Sequence, residues 1–254
     1  MIELLRPRVR RPGAGGFADS ASSLARPLVI GHRGAAALER ENSLAAIEAA
    51  ALHGADGVEV DLLRAPDGRV VLAHGPEIAP DAPPLADALA LAAALGLFVQ
   101  LDVKRGGLAA EAARAVVEAG LAERSFVSSF SPAILAEFRE AAPALPRSFT
   151  YPEDRYGVTG RPLLRPFVGP TLATLRAALP RRLSPWLRRS DAFALTLNWS
   201  VVTSAAIDRA HALGAAVLTW TVNDAGVAET LVESGADAII TDDPRIALGG
   251  TDNQ

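Results

Sequence analysis

The sequence predicts an α/β protein folded as a single (β/α)8 barrel, and three observations predict it. Short apolar runs alternate with alanine-rich helical patterns from Pro27 almost to the end of the chain. With one hairpin arm set aside, eight of those runs read as strands, and eight strands alternating with helices form a parallel sheet that closes on itself. Ionisable and polar residues, finally, gather where the strands end, which is where such barrels carry their chemistry. A chain of 254 residues has the length of one such barrel.

Residues 1–26 are rich in Gly, Pro, Arg and Ser without periodicity and are expected to form a flexible arm; residues 27–248 would be the barrel domain and 249–254 a tail. LVIGHRG, Leu28 to Gly34, opens the barrel as a buried strand. NSLAAIEAAALHG follows as a helix, with Asn42 or Ser43 as its N-cap and Gly54 as its stop. GVEVDLL and RVVLAHG are the second strand and its hairpin arm. They join through Pro66-Asp67-Gly68, where proline presets φ and glycine accepts a positive φ. A two-residue loop of Asp67 and Gly68 sets Asp61 opposite His74, whereas a three-residue loop with a bulge slips the register by one. Both bring His74 close to the carboxylates of the second strand. LADALALAAALG, LFVQLDVK, LAAEAARAVVEAG, RSFVSSF, PAILAEFREAA and RSFTY continue the alternation. The stretch from there to about Arg189 is rich in Pro and Arg and reads as irregular. AFALTLNW, SAAIDRAHALG, AVLTWTV, AGVAETLVESG and ADAIITD complete the series.

The second strand carries an anomaly. Side chains alternate across a strand, so Val58, Val60 and Leu62 share one face while Glu59 and Asp61 share the other. A solvated edge strand would explain two acids, but so would a hard divalent cation, which takes carboxylate oxygens and relieves the repulsion between like charges. The convergence of polar residues favours the second explanation. His32 and Arg33 end the first strand, Asp102 and Lys104 lie late in the third, and Ser128 and Ser129 end the fourth. Trp220 and Asn223 end the seventh, and Asp242 and Asp243 the eighth.

Composition removes several classes of function. There is no cysteine, so disulfides, thiol nucleophiles and thiolate metal sites are excluded and any metal is held by oxygen or histidine. A net charge of -4 gives no electrostatic footprint for nucleic acid. The arginines of the first dozen residues have no apolar segment behind them, which argues against a secretory signal and for a cytoplasmic protein. The longest apolar run, Ala88 to Val99, falls short of the roughly 20 residues of a membrane span.

HRG at one strand end, Glu-x-Asp at the next, a histidine thirteen residues after that aspartate, and Asp-x-Lys at the third form an ordered set. Together with GHRGAAALERENS, SSF, VLTWTVND and GADAIITDDP, the set resembles the glycerophosphodiester phosphodiesterase family over residues 28–246. The resemblance implies a TIM-type barrel and metal-dependent hydrolysis of glycerophosphodiesters to glycerol 3-phosphate and an alcohol. It implies that His32 and His74 are the acid and base, and that Glu59, Asp61 and Asp102 hold one divalent cation, Mg²⁺, Ca²⁺ or Mn²⁺. Arg33 and Lys104 would hold the diester, Asn42, next to Glu41, would orient substrate or metal ligands, and Trp220 would wall the glycerol pocket.

The chain departs from the family in two places. Asp102 stands where the family usually has glutamate, and the link GPEIAPDAPPLADAL after His74 is a reduced insertion where the family usually has a larger subdomain. A wider mouth would admit lysophospholipids, making a lysophospholipase D activity the alternative on the same residues. A non-enzymatic phosphate-ligand barrel is the alternative from another class, and an acid and base pair argues against it. His53 and His211, each in the last turn of a helix, read as structural cations on the helix dipole. Phe130 reads as packing. PRRLSPWLRRS, Pro180 to Ser190, reads as a solvated basic loop, with weak contact to anionic membrane near the barrel mouth as its functional alternative.

Overall fold

A computed structural model describes Pro7 and residues 26–153 and 165–247. The expected tail, and the expected arm apart from Pro7 and Arg26, lie outside the described residues. The strands are β1 (Leu28–Gly31), β2 (Gly57–Arg64), β3 (Val70–Leu72), β4 (Phe98–Val103), β5 (Ser125–Ser129), β6 (Arg147–Tyr151), β7 (Ala194–Asn198), β8 (Ala216–Trp220) and β9 (Ala238–Thr241). The helices are α1 (Leu44–Leu52), α2 (Leu85–Ala94), α3 (Ala109–Glu118), α4 (Pro132–Ala141), α5 (Arg165–Ser190), α6 (Ser204–Ala212), α7 (Ala225–Glu233) and α8 (Pro244–Ala247). All strands but β3 are parallel, and β1 pairs with both β2 and β9, so the sheet closes into an eight-stranded barrel. No helix among the described residues is long and apolar enough to cross a membrane.

Strand alternation sorts the side chains into two compartments. Val58, Val60 and Leu62 point out to the helices, in one apolar layer with Leu89, Leu101, Phe138 and Ile207. Inward-facing residues are graded along the barrel axis. At the N-terminal ends of the strands, Leu28, Ile30, Phe98, Phe126 and Leu218 fill the interior with partly buried Phe193 against them. Phe126 packs tilted at 6.3 Å from Phe98 and edge-on at 5.9 Å from Phe193, filling that end. Two residues further along β4 stands Gln100, then Asp102, and the interior turns polar.

The hairpin has the three-residue form. Leu62 faces Leu72 and Arg64 faces Val70, so Asp61 is opposite Ala73, whose N–H donates to the Asp61 carbonyl at 3.0 Å. Gly68 takes φ 91° at the loop end, which a side chain resists. His74 is thereby one residue beyond the position opposite Asp61.

From residue 165 the segment before β7 corrects the sequence reading, while residues 154–164 of that stretch lie outside the described residues. Residues 165–190 form one helix, α5, with Pro170, Pro180 and Pro185 inside it. Each internal proline removes an N–H donor and crowds a carbonyl one turn back, which is why the stretch reads as irregular. What overrides them is a stripe: Leu172, Leu175, Leu179, Leu183, Trp186 and Leu187 recur at helical spacing and pack on the core, with Leu179 and Leu183 buried. Trp186 lies against Phe149 and Tyr151, at 5.4 and 4.5 Å between ring centroids. Arg181, Arg182, Arg188 and Arg189 are exposed on α5; Arg188 and Arg189 are in its last turn, next in sequence to Asp191, which pairs with Arg147 at the start of β6. Arg188 and Arg189 therefore sit toward the end of the barrel opposite the strand C-termini, and the segment is helix, not loop.

Candidate active site

Beyond Gly31 the chain turns sharply. Arg33 takes φ 52° and Gly34 φ 87°. A Cβ on Gly34 would lie 2.6 Å from both the carbonyl carbon and the Cβ of Ala46, so only glycine lets the turn press against α1. The Arg33 N–H then donates to Glu59 Oε2 at 2.9 Å. Asn42 is a third strained position, with φ 54°, and it binds Asp61 twice: Nδ2 donates to Oδ2 and Oδ1 accepts from the Asp61 N–H, both at 3.0 Å. Its amide is spent on the carboxylate, and the cap of α1 is Ser43, whose hydroxyl accepts from the Ala46 N–H.

Parallel register places Glu59 beside Gln100 and Asp61 beside Asp102. Glu59, Asp61 and Asp102 offer oxygens that all lie within 4.8 Å of one another, and all three residues are buried. Such a set of hard, inward-facing oxygen donors from two successive layers of the barrel suits a divalent cation of the Mg²⁺ or Ca²⁺ type. Cationic side chains hold part of this charge. Lys104 Nζ is 3.0 Å from Asp61 Oδ1 and also meets Asp102, whose second oxygen accepts from the Ser128 hydroxyl at 2.6 Å. Arg33 Nε is 3.2 Å from Asp61 Oδ2, and its Nη1 bonds Glu41.

The electrostatics differ among the acids. Burial, and then the charge of Asp61, push Glu59 from 4.5 up to about 7. Burial would raise Asp61 too, but the His74 hydrogen bond and the charges of Lys104 and Arg33 outweigh it and hold that carboxyl well below the usual range. Lys104 would be lowered by its burial, yet Asp102 and Asp61 raise it.

Both candidate proton-transfer groups touch this cluster. His32 Nε2 is 4.0 Å from Glu59 Oε2, and His74 Nδ1 is 3.1 Å from Asp61 Oδ2. On its far side His32 Nδ1 meets Asp242 Oδ1 at 2.6 Å, while Asn223 Nδ2 donates to Asp242 Oδ2. Burial would lower the His32 pKa, but the Asp242 bond and the nearby Glu59 raise it above the ordinary histidine value. Asp242 and Asn223 carry no role in the sequence reading beyond their place at strand ends. His211 bonds Asp237 at 2.8 Å, remote from this cluster, and serves the fold.

A cavity of about 1040 Å³ opens over the cluster. His32, Arg33, Glu59, His74, Asp102, Lys104 and Trp220 line it; Asp61 and Asn42 stand behind that lining. Trp220 donates to the Thr196 carbonyl at 3.2 Å and meets Phe130 edge-on at 5.8 Å, and Lys104 lies 5.3 Å from the centre of the Phe130 ring. Phe130 is therefore part of the wall, not of the packing beneath it.

Residues 32–81 and 95–246 match the Glycerophosphoryl diester phosphodiesterase family. A glycerophosphodiester phosphodiesterase of Caldanaerobacter subterraneus subsp. tengcongensis is 24% identical over 87% of this chain and 96% of its own length. Among solved structures, a putative glycerophosphoryl diester phosphodiesterase of Silicibacter pomeroyi superposes with a TM-score of 0.69 at 23% identity, covering 88% of this chain and 93% of its own. A phosphodiesterase of Oleispira antarctica in complex with the product sn-glycerol-3-phosphate gives a TM-score of 0.69 at 21% identity, over 90% and 98%. With its barrel closed and its match running from the first strand end to the last, the chain belongs to the glycerophosphoryl diester phosphodiesterase family.

Proposed function

We propose that the protein hydrolyses glycerophosphodiesters to glycerol 3-phosphate and an alcohol, using a divalent cation held by Glu59, Asp61 and Asp102. The observation that carries the reading is the pair of imidazoles, His32 and His74, each against a different carboxylate of one buried acidic cluster. When bound, the cation draws charge from the phosphoryl oxygens. Lys104 and Arg33 add fixed positive charge beside them, and Asn42 keeps Asp61 turned inward. As the new P–O bond forms, one imidazole accepts the proton of the attacking oxygen, that of water or of the neighbouring glycerol hydroxyl; the other delivers a proton to the departing alcohol oxygen as its P–O bond breaks, and a cyclic phosphate formed by the glycerol hydroxyl is then opened by water to glycerol 3-phosphate. Trp220 would stand against the glycerol moiety.

The test is release of glycerol 3-phosphate from glycerophosphocholine and glycerophosphoethanolamine in EDTA, then with Mg²⁺, Ca²⁺ or Mn²⁺ restored. Release that returns with cation and is lost in Glu59→Ala supports the reading. Release undiminished in EDTA overturns the cation's part in it. One observation favours a second substrate: Leu63, Val103, Phe130 and Ile134 give one side of the cavity an apolar wall. A mono-acyl glycerophosphocholine turned over faster than the deacylated diester would establish lysophospholipid hydrolysis, and no turnover of either would favour a phosphate-binding barrel.

A further inference from the structure

We propose that Asp242, oriented by Asn223, selects the tautomer of His32 that faces the cavity. This rests on the reading of His32 as a proton-transfer group, and both Asn223 and Asp242 are positioning residues. Three strand ends meet here: His32 follows β1, Asn223 follows β8 and Asp242 follows β9. The His32 N–H donates to the Thr241 carbonyl at 2.7 Å, which fixes the backbone from which the imidazole projects.

The orientation of the Asn223 amide is determined by its neighbours. Its Oδ1 accepts from the backbone N–H of Asp242 at 3.0 Å, and a backbone N–H can only donate. Nδ2 is therefore the end that faces Asp242 Oδ2. That leaves Oδ1 of the aspartate for His32 Nδ1 at 2.6 Å. An ionised carboxylate only accepts, so Nδ1 carries the proton of the neutral ring. Nε2, on the side of Glu59 and the cavity, is left as the nitrogen that exchanges protons.

The arrangement makes a prediction that a carboxylate acting through charge alone would not. In Asp242→Asn the new amide has one acceptor and one donor end. The Asn223 NH₂ claims the acceptor, so the new NH₂ turns to His32 Nδ1 and forces the proton onto Nε2. Adding Asn223→Asp reverses the claim. The new carboxylate takes the NH₂ of the amide, whose oxygen returns to His32 and restores the Nδ1–H form.

The experiment uses the full-length chain labelled with ¹⁵N-histidine. Its four histidines make long-range ¹H–¹⁵N spectra tractable, and the ring-nitrogen shifts distinguish the two tautomers. The expected result, read above the raised pKa of His32 where the ring is neutral, is Nδ1–H for His32 in the parent and Nε2–H in Asp242→Asn. Turnover of glycerophosphocholine in that variant falls about 10²- to 10⁴-fold in kcat with little change in KM, the scale seen when a catalytic imidazole is held in the wrong tautomer. Asp242→Asn/Asn223→Asp returns both readouts toward the parent. An unchanged tautomer in Asp242→Asn, or a double variant that stays in the Nε2–H form, overturns the proposal. Should Asp242→Asn not fold, Asn223→Ala carries the test. It keeps a carboxylate at Nδ1, so the tautomer persists while kcat falls about tenfold through looser orientation; a loss confined to KM overturns the proposal. Spectra that follow the predicted pattern in a parent protein without turnover would uphold the tautomer selection and refute only the assigned activity.

Discussion

Glu59 should make the cation-free protein less stable as pH rises. Its carboxyl goes from 4.5 to about 7 on folding, chiefly because burial removes its solvent and then because Asp61 is charged beside it. A raised acid contributes stability that is fully present below the unfolded value and is lost as pH climbs through the folded one. The window is therefore about pH 4.5 to 7. At 1.36 kcal/mol per unit the shift amounts to about 3 kcal/mol, and for a chain of this size about 6–12 °C in Tm. Thermal melts in EDTA between pH 5 and 8 measure it, with Glu59→Gln as the comparison because glutamine has no proton to lose. The parent should fall relative to the variant across that window. Saturating Mg²⁺ should abolish the parent's relative loss at pH 8, since a cation takes the place of the proton. Parallel melting curves for parent and Glu59→Gln in EDTA would refute the burial argument, whatever the cation then does.

Asn42→Ala removes both bonds to Asp61 and puts alanine at φ 54°; a loss of about 3 kcal/mol by chemical denaturation is expected, with weaker Mg²⁺ binding by calorimetry. Gly34→Ala drives a methyl to 2.6 Å from backbone and side chain of Ala46, and should cost more than about 3 kcal/mol or abolish soluble expression. In α5, Leu183→Ala should cost about 2–5 kcal/mol, because Leu183 is fully buried. Exposed Pro185→Ala should instead raise stability by about 1 kcal/mol by returning an N–H to the helix, and a destabilised Pro185→Ala would contradict a continuous helix there.

Much of this barrel is legible because β2 and β4 write their two faces in alternation. Val58, Val60 and Leu62 declare one side and Glu59 and Asp61 the other, and parallel register brings Asp102 level with Asp61 without any further information. The hairpin could be narrowed to two registers from Pro66-Asp67-Gly68; choosing between them required the Ala65 to Arg69 pairing, with the Ala65 N–H donating to the Arg69 carbonyl at 2.9 Å. The α5 stripe was present in the leucine spacing but was masked by three prolines, each locally hostile to a helix and each outweighed by burial of the opposite face. Asn42 shows a different limit. Its type fits a cap as well as the ligand-orienting role the resemblance implies, and the turn at Arg33 and Gly34 decides for the second by facing the amide to Asp61. The contact of His32 with Asp242 bridges 210 positions and depends on barrel closure, which no local pattern encodes.

That closure has a bearing on biosynthesis. β9 is the last strand of the barrel in chain order, and it both seals the sheet against β1 and delivers Asp242 to the histidine that follows β1. A ribosome must therefore pass β9 before the imidazole meets its partner. Nascent chains halted earlier carry the acids of β2 and β4 on an unsealed sheet, with His32 still lacking its carboxylate partner.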